Sequence, residues 1–254
     1  MLKIPIKTKN EIQIMREGGK ILSNILFKLK ALSIEGADVW VLEEKFLELC
    51  NKKNVIPACK GYAPFGYPPF PTGLCISIDS QSVHCYPIKG TILKNGDLLT
   101  IDTVIIYKGY YLDCAVTFGI GKLSENKKNL LDTTEKALKN AIEIIKPNVK
   151  VGDISNIIQT IVENKGYSAL TEYAGHGIGK NMHEPPEVPC YGKENTGPEL
   201  KPGMVLAIEP LVCEKSNKLE HNNTWETKTK DEGNFVQCEH TVLVTEHGYE
   251  ILTK

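Results

Sequence analysis

Two aspartates lie in a segment whose composition predicts a β-hairpin. Residues 98–116 are rich in β-branched and aromatic residues, and only Lys108-Gly109 interrupts the run. If this pair forms a two-residue turn, Asp102 faces Ala115, on the same face of the sheet as Asp113. The two aspartates are then diagonal neighbours, with backbones roughly 7–8 Å apart. A lone carboxylate on a strand is usually solvated, but two on one apolar face need partners or metal, so the hairpin is a candidate ion site.

A second candidate is the glycine-rich run at residues 175–179, which contains His176 and precedes His183. Glycines on both sides of a histidine indicate close approach of the backbone to another group. The run is not a phosphate-binding loop, since Lys180 is followed by Asn181 and not by serine or threonine, and the glycine spacing does not fit a dinucleotide fingerprint. The spacing of the two histidines also excludes a His-Glu-x-x-His zinc helix. By itself, His176 is compatible with a structural and with a functional role.

Glu209 and Glu239 lie inside apolar, strand-forming stretches. An unpaired charge at such a position is costly, although each glutamate alone could be neutral or part of an ion pair. Together with Asp102, Asp113 and His176 they form a plausible ligand set for two ions. A set made only of oxygen and imidazole suits Mn, Fe, Co or Zn and disfavours thiolate sites.

The eight cysteines are scattered without a Cys-x-x-Cys pair. In a reducing compartment we expect free thiols and neither a disulfide framework nor a zinc knuckle. Cys114 and Cys238 adjoin Asp113 and Glu239, but strand alternation directs their side chains to the opposite face. We interpret these two cysteines as packing residues.

Two similar series of elements must position the candidate ligands. In the first, a capping box at Thr8–Glu11 begins a helix, and a link through Gly36 leads to a second helix. Residues 57–71, rich in proline, glycine and aromatics, are predicted as a loop, and strands follow over residues 75–121.

The second series begins at Ser124, which opens a helix that stops before Pro147. A link through Gly152 and Asp153 leads to another helix, which Gly166 ends. Strands are then predicted at Ala169–Tyr173, Val205–Val212, Val236–Val244 and Tyr249–Leu252.

The repeated order of elements predicts an α+β fold with two duplicated, pseudo-two-fold halves. A curved antiparallel sheet would be covered by helices on its outer face, and the cleft would lie where the halves meet. Because no flexible linker separates the halves, we expect one domain over residues 1–254.

Charge and hydropathy exclude several classes of protein. Thirty basic and 31 acidic side chains give a formal charge of −1, without runs of like charge, so neither a nucleic-acid nor a membrane footprint is supported. The first 25 residues lack the apolar stretch of a signal peptide, and no later segment is long and apolar enough to cross a bilayer. We expect a cytoplasmic protein that binds no nucleic acid directly and no membrane.

The order and flanking residues of the five candidate ligands closely resemble the metal-binding pattern of methionine aminopeptidases, and the resemblance covers nearly the whole chain. It is carried by Ile101-Asp102, Tyr173–Gly179, Leu200–Met204, Ile208-Glu209-Pro210 and Glu239-His240-Thr241. The resemblance implies the pita-bread fold, which has duplicated halves. Only 32 residues separate His176 from Glu209, which fits the type I enzymes and not the type II enzymes, which carry an inserted helical subdomain there. The length leaves no room for the extra N-terminal domain of prolidases or for a zinc-binding extension, as in the short bacterial or organellar form.

The family pattern also implies roles for individual residues. Asp113 and Glu239 would bridge two divalent ions (Co, Mn, Fe or Zn), Asp102 would bind one ion, and His176 and Glu209 would bind the other. Glu209 would also act as the general base and acid. The remaining residues that match substrate-facing positions of the family are His84 and His183, both expected to be catalytic, and the pocket residues Cys59, Tyr62, Cys75, Met182 and Trp225.

One segment departs from the family pattern. The loop over residues 63–71 is longer than usual, and Tyr67 or Phe65 would supply another wall of the methionine pocket. The expected activity is removal of the initiator methionine from nascent polypeptides with small second residues, by a monomer that associates with ribosomes. Two alternatives stay open: a peptidase of the same fold that cleaves X-Pro bonds, and a metal-free scaffold that binds peptides or ribosomes. Pseudoenzymes typically lose ligands, whereas all five are present here, which favours the enzyme.

Overall fold

The computed structural model describes residues 3–64, 66–221 and 225–254. Within them, two helices precede a set of strands, and two further helices precede a second set. The elements are α1 (Lys9–Leu32), α2 (Val39–Lys53), β1 (Ile56–Pro57), β2 (Cys75–Ile78), β3 (Leu98–Tyr107), β4 (Tyr110–Gly119), α3 (Glu125–Glu143), α4 (Val151–Glu163), β5 (Ser168–Ala169), β6 (Ala174–Gly177), β7 (Glu184–Pro189), β8 (Val205–Ile208), β9 (Leu211–Cys213), β10 (Leu219–His221), β11 (Thr227–Thr229), β12 (Phe235–Gln237), β13 (His240–Val244) and β14 (Tyr249–Ile251).

Helix α1 begins at the predicted capping box, in which the Thr8 hydroxyl accepts from the Glu11 N–H and the Glu11 carboxylate accepts from the Thr8 N–H. The helix continues through Gly18-Gly19 because these glycines permit close packing. A Cβ on Gly18 would lie 2.6 Å from Leu112 Cδ2, and one on Gly19 would lie 2.1 Å from the Leu252 carbonyl oxygen. The glycine pair therefore brings α1 directly onto β4 and the C-terminal segment.

Helix α3 begins after Ser124, as predicted, but the predicted link through Gly152 and Asp153 is wrong. Both residues lie in the first turn of α4. The Asp153 carboxylate accepts from the Lys150 N–H and, across the chain, from the Asn195 N–H. This capping overrides the turn propensity of a Gly-Asp pair.

All strand pairs are antiparallel. The predicted hairpin is confirmed, with Asp102 opposite Ala115 and a turn at Lys108-Gly109, whose φ angles are 48° and 81°. Two positive φ angles are what a type I′ hairpin turn requires. The hairpin belongs to a four-stranded sheet in which β3 lies between β4 on one edge and β1 and β2 on the other.

The second set of strands forms a five-stranded sheet in the order β14-β13-β8-β6-β7, a three-stranded sheet in the order β12-β9-β5, and the pair β10-β11. Three predicted strands break where the chain passes between the first two of these sheets. The predicted strand Ala169–Tyr173 is wrong, since the chain bends between β5 and β6. The stretches Val205–Val212 and Val236–Val244 are likewise split, at Glu209-Pro210 and Cys238-Glu239. The two glutamates therefore lie at a sheet boundary and not inside strands.

Strand β7 has no counterpart in the predictions because Pro185, Pro186 and Pro189 argue against a strand. It is the outer strand of the five-stranded sheet, and proline is tolerated at a sheet edge because one side of the strand needs no ladder hydrogen bonds.

Each half of the chain builds most of one apolar core. One core joins α1 and α2 to β2, β3 and β4, with Ile178, Val205, Leu243 and Leu252 added from the second half. The other joins α3 and α4 to the strands that follow them, with Val83 and Leu98 added from the first half. This duplication of helices and antiparallel strands confirms the α+β class. No helix within the described residues combines the length and the apolarity that crossing a bilayer requires.

Candidate active site

Three carboxylates converge where the two halves meet. One oxygen from each of Asp102, Asp113 and Glu239 lies within 4.8 Å of the others. The hairpin supplies both aspartates, and hydrogen bonds across the halves bring in the glutamate. The Glu239 N–H donates to the Ala115 carbonyl over 2.9 Å, and the Thr241 hydroxyl donates to the Asp113 carbonyl over 2.7 Å.

His176 and Glu209 complete this group. His176 Nε2 lies 3.8 Å from Asp113 Oδ2 and 3.9 Å from Glu209 Oε1. Its other nitrogen, Nδ1, lies 2.9 Å from the Gly177 carbonyl oxygen. Because a carbonyl only accepts, the proton resides on Nδ1, and the Nε2 lone pair faces the carboxylates. All five predicted ligands are thus close together.

The glycines around His176 allow neighbouring chains to approach it. A Cβ on Gly175 would lie 2.5 Å from the Ala207 carbonyl oxygen, and one on Gly177 would lie 2.4 Å from that of Pro185. These atoms belong to the strands on either side of β6. The close approach expected from the glycine pattern is therefore to the sheet itself.

Gln237 is a site residue that the sequence did not single out. Its side-chain amide donates to Asp102 Oδ2 over 3.3 Å and to Glu209 Oε2 over 3.4 Å, and the residue is 3% exposed. It therefore joins a ligand of the first half to one of the second. The available signal was its position two residues before Glu239, on the same face of the strand that the sequence predicted there.

Burial and crowding raise the pKa of every carboxylate in the group. Burial raises the pKa of Asp102 to about 7, and burial and then the Asp102 charge raise the pKa of Glu209 to about 8. The pKa values of Asp113 and Glu239 lie well above their ordinary values, first through burial and then through neighbouring carboxylates. Burial lowers the pKa of His176 to about 4, which keeps its imidazole neutral and able to coordinate.

The donor set fits divalent cations. Asp113 Oδ1 and Glu239 Oε1 are buried and accept no hydrogen bond from the described residues. Among those same residues, no lysine or arginine lines the cleft around the carboxylates. Buried anionic oxygens without a cationic partner are what a metal ion would satisfy.

The two cysteines next to ligands are buried packing residues, as predicted. Cys114 is 1% exposed and Cys238 is 5% exposed, and all eight cysteines are free thiols. Burial raises the pKa of Cys238 to about 12, so its thiol stays protonated.

An apolar pocket lies beside the carboxylates, within a cleft of about 1430 Å³. All five predicted pocket residues line it: Cys59, Tyr62, Cys75, Met182 and Trp225. Tyr67 also lines the cleft, with its ring centroid 5.1 Å from that of Trp225. Phe65 lies outside the described residues.

Phe70 belongs to this pocket as well, although the sequence did not indicate it. Its ring packs edge-on against Trp225 at 5.2 Å and against Tyr86 at 6.0 Å. The Trp225 indole N–H also donates to the Pro68 carbonyl over 2.9 Å. Tyr67, Pro68 and Phe70 of the 63–71 loop therefore all contact Trp225 in the pocket.

His84 and His183 face the same cleft. The Tyr62 hydroxyl lies 3.3 Å from His183 Nδ1, and the His183 ring packs 4.5 Å from that of His176. His84 packs edge-on against Tyr173 at 4.9 Å and has a φ of 65°. Such a conformation costs a non-glycine residue about 1–3 kcal/mol and is concentrated at functional sites. Burial lowers the pKa of both imidazoles, that of His84 to about 4.

Comparison with known proteins shows which family this chain belongs to. Residues 13–246 match the profile described as metallopeptidase family M24. The chain belongs to metallopeptidase family M24. Methionine aminopeptidase 1 of Bacillus subtilis is 38% identical over 249 residues, which are 98% of each chain. The methionine aminopeptidase of Aquifex aeolicus is 37% identical over 259 residues and the full length of both.

Solved structures agree with this M24 assignment. A crystal structure of methionine aminopeptidase from Thermotoga maritima has a TM-score of 0.95 and 38% identity, over 99% of this chain and 100% of that chain. Prolidase from Pyrococcus furiosus has a TM-score of 0.77 and 25% identity, and the match covers 98% of this chain but 65% of the prolidase. The M24 chain therefore has the pita-bread fold that the sequence implied, as well as the metallopeptidase class.

Proposed function

We propose that this M24 metallopeptidase removes N-terminal methionine from polypeptides whose second residue is small. The observation that carries the proposal is the meeting of five ligand side chains beside a thiol- and aromatic-lined pocket. A thioether packs well against aromatic rings, so such a pocket suits a methionine side chain. The full-length similarity to methionine aminopeptidases supports the same activity.

Two ions of Co, Mn, Fe or Zn would be held here by the side chains of Asp102, Asp113, His176, Glu209 and Glu239. When bound, divalent ions supply Lewis acidity, which polarises a carbonyl and makes water acidic enough to attack near neutral pH.

The side chains of the protein provide the remaining chemistry. Glu209 takes a proton from the attacking water and passes it to the leaving amine. In the tautomer in which His183 Nδ1 accepts from the Tyr62 hydroxyl, His183 carries its proton on Nε2 and donates it to the developing oxyanion. His84 orients the scissile peptide, held by Tyr173 and by its strained backbone.

The whole chain would act as one catalytic domain and as a monomer in the cytoplasm. Its substrates would be nascent polypeptides, and it would meet them in association with the ribosome. Nucleic acid and membrane are not among the proposed partners.

The test is a cleavage assay on the purified enzyme loaded separately with each of the four metals. Met-Ala-Ser should release methionine, Met-Leu-Ser should be a poor substrate, and Gly-Pro should remain intact. Cleavage of Gly-Pro without release of methionine would instead identify an X-Pro peptidase. A protein that takes up no metal and cleaves none of these peptides would be the scaffold alternative.

The two cleft histidines are tested in the same assay. His84→Ala and His183→Ala should keep their metal content and lose about 10²–10⁴-fold in rate, as expected for removal of a proton-transfer or oxyanion group. A variant that loses its metal would identify that histidine as a ligand.

A further inference from the structure

The segment ahead of α1 reaches across the molecule to the loop that carries His183. Lys7 Nζ lies 2.6 Å from Glu184 Oε2, and the two side chains are only 5% and 3% exposed. Glu184 directly follows His183 in the sequence. This buried ion pair, whose members are 177 residues apart in the sequence, thus joins the N-terminal segment to a residue beside the cleft.

Both ends of this ion pair are fixed in place. The Lys7 N–H donates to the Gly203 carbonyl over 2.8 Å, immediately before the capping box that begins α1. Glu184 uses its other oxygen to accept from the Asn181 N–H over 3.1 Å. The carboxylate therefore closes the loop on itself and ties it to Lys7.

The loop is shaped around the lysine. A Cβ on Gly179 would lie 2.4 Å from Lys7 Cε, 2.8 Å from its Nζ and 3.1 Å from Glu184 Oε1, so a side chain here would displace the end of the lysine from its place beside Glu184. The Gly179 carbonyl also accepts from the Tyr111 N–H over 2.8 Å, beside the hairpin. The path from His176 to His183 thus runs between the hairpin and the N-terminal segment.

We propose that Lys7 and Glu184 are positioning residues, which hold residues 178–184 so that His183 keeps its place beside His176 in the cleft. This inference rests on the proposed function, since it assigns His183 a role in turnover. A buried ion pair is often replaceable by apolar residues without loss of stability, whereas removal of one partner leaves an uncompensated charge. Stability and positioning can therefore be separated by comparing single with double variants.

Lys7→Met should lower the thermal midpoint and the kcat together, because Glu184 is left buried without its cation. Lys7→Met/Glu184→Met removes both charges and should recover the midpoint. Its kcat on Met-Ala-Ser should remain about 10- to 100-fold below that of the parent, the range for a small misplacement of a reacting group. Metal content should change little, because none of the five candidate ligands is altered. KM should change less than kcat, because Met182 is the one pocket residue named above that lies within residues 178–184.

A double variant with the parental midpoint and the parental kcat would overturn the proposal and leave the pair a purely structural feature. If the double variant folds poorly, Glu184→Gln tests the proposal instead. Glutamine keeps the side-chain volume and one oxygen, which can accept from either Lys7 or the Asn181 N–H. Glu184→Gln should lower kcat by a larger factor than it raises KM, and an unaltered kcat in this variant would equally overturn the inference.

Two controls make the result specific. Arg16→Met breaks the Arg16–Glu250 pair, whose side chains are 32% and 34% exposed, and should leave kcat unchanged. Hydrogen exchange of residues 178–184, which needs no turnover, should be faster in the double variant than in the parent, and equal protection would count against positioning. If the parent itself releases no methionine, the proposed function is wrong. If the parent is active and the double variant is equally active, only the positioning role is wrong.

Discussion

The two halves of the molecule deliver carboxylates to the cleft in different ways. In the first half, Asp102 and Asp113 lie within β3 and β4, so a continuous ladder sets their separation. In the second half, Glu209 and Glu239 lie where the chain leaves one sheet for another. The first pair is placed by local register, and the second by contacts between segments distant in sequence.

Hydrogen bonds to the first half help to hold the second-half candidate ligands in place. Glu239 is tied to β4 through Ala115, and Gln237 spans from Asp102 to Glu209. A glutamate at the end of a short strand has no ladder on both sides to hold it. Neighbouring polar contacts must supply the rigidity that a metal site needs.

The largest expected effect comes from removing one carboxylate of each kind, Asp113 from within a strand and Glu239 from a sheet boundary. Asp113→Ala and Glu239→Ala each remove a carboxylate with an unpaired buried oxygen. Both variants should lose bound metal, measured by elemental analysis, and their activity should fall to background. In the presence of EDTA neither should unfold earlier than the parent, because a buried charge has been removed.

Asp132→Ala is the matched control, since that carboxylate is exposed and pairs with Lys128 on the surface of α3. It should retain both metal and turnover. If Asp113→Ala or Glu239→Ala kept full metal content and full activity, the ligand assignment would be refuted.

The contrast between strand register in the first half and sheet boundaries in the second also explains how much of the site could be predicted from the sequence. The turn at Lys108-Gly109 is a local signal, and it fixed the facing of Asp102 and Asp113 correctly. Apolar, strand-forming residues marked the stretches around Glu209 and Glu239, but not the points at which they break. Those points depend on which strands pair with each fragment, and no local pattern encodes that choice.

Residues that act only through tertiary contacts were missed for the same reason. The Gln237 amide becomes informative only once Asp102 and Glu209 lie on either side of it. In the sequence, Phe70 is one aromatic residue of a proline-rich loop. Its part in the pocket depends on its contact with the Trp225 ring, which is distant in the sequence. Local patterns singled out the five candidate ligands one by one, and the family resemblance supplied the long-range information that assigns each of them a role.

A second prediction tests the bridge between the halves. Gln237→Leu keeps the volume but removes the amide that orients Asp102 and Glu209. With all five ligands present, metal affinity should fall by about 10–100-fold, the range for loss of a group that orients metal ligands. Competition with a chelator of known affinity would measure it. Gln13→Leu, on the exposed face of α1, should leave the affinity unchanged, and an equal change in both variants would remove any special role for Gln237.

A third prediction concerns the strand contact that joins β13 to β4. The Thr241 hydroxyl both donates to the Asp113 carbonyl and accepts from the Asp113 N–H, and the residue is fully buried. Thr241→Val should lower the free energy of unfolding by about 1–3 kcal/mol, because buried polar groups of Asp113 lose their partner. Urea titration would measure the loss.

Thr134→Val is the comparison variant for this contact. Thr134 is equally buried, but its hydroxyl bonds only within α3, to the Leu130 carbonyl, which keeps its place in the helix. We expect a loss below about 1 kcal/mol there, since little is left unsatisfied. Equal losses in the two variants would mean that the joint between the halves is no more sensitive than a helix interior.

The smallest expected effect tests the claim that the ladder, and not the turn, holds the aspartates in register. Gly109 has a φ of 81° and no atom near its Cβ position, so Gly109→Ala should cost about 1–2 kcal/mol through backbone conformation alone. Metal affinity should stay unchanged, because ten opposed residue pairs fix the register of β3 and β4. Gly36→Ala, at a φ of 84° and outside the hairpin, is the control and should show a similar loss in a urea titration. If Gly109→Ala weakened metal binding while Gly36→Ala did not, the turn would be part of what positions Asp102 and Asp113, and the two halves would differ less than their strands indicate.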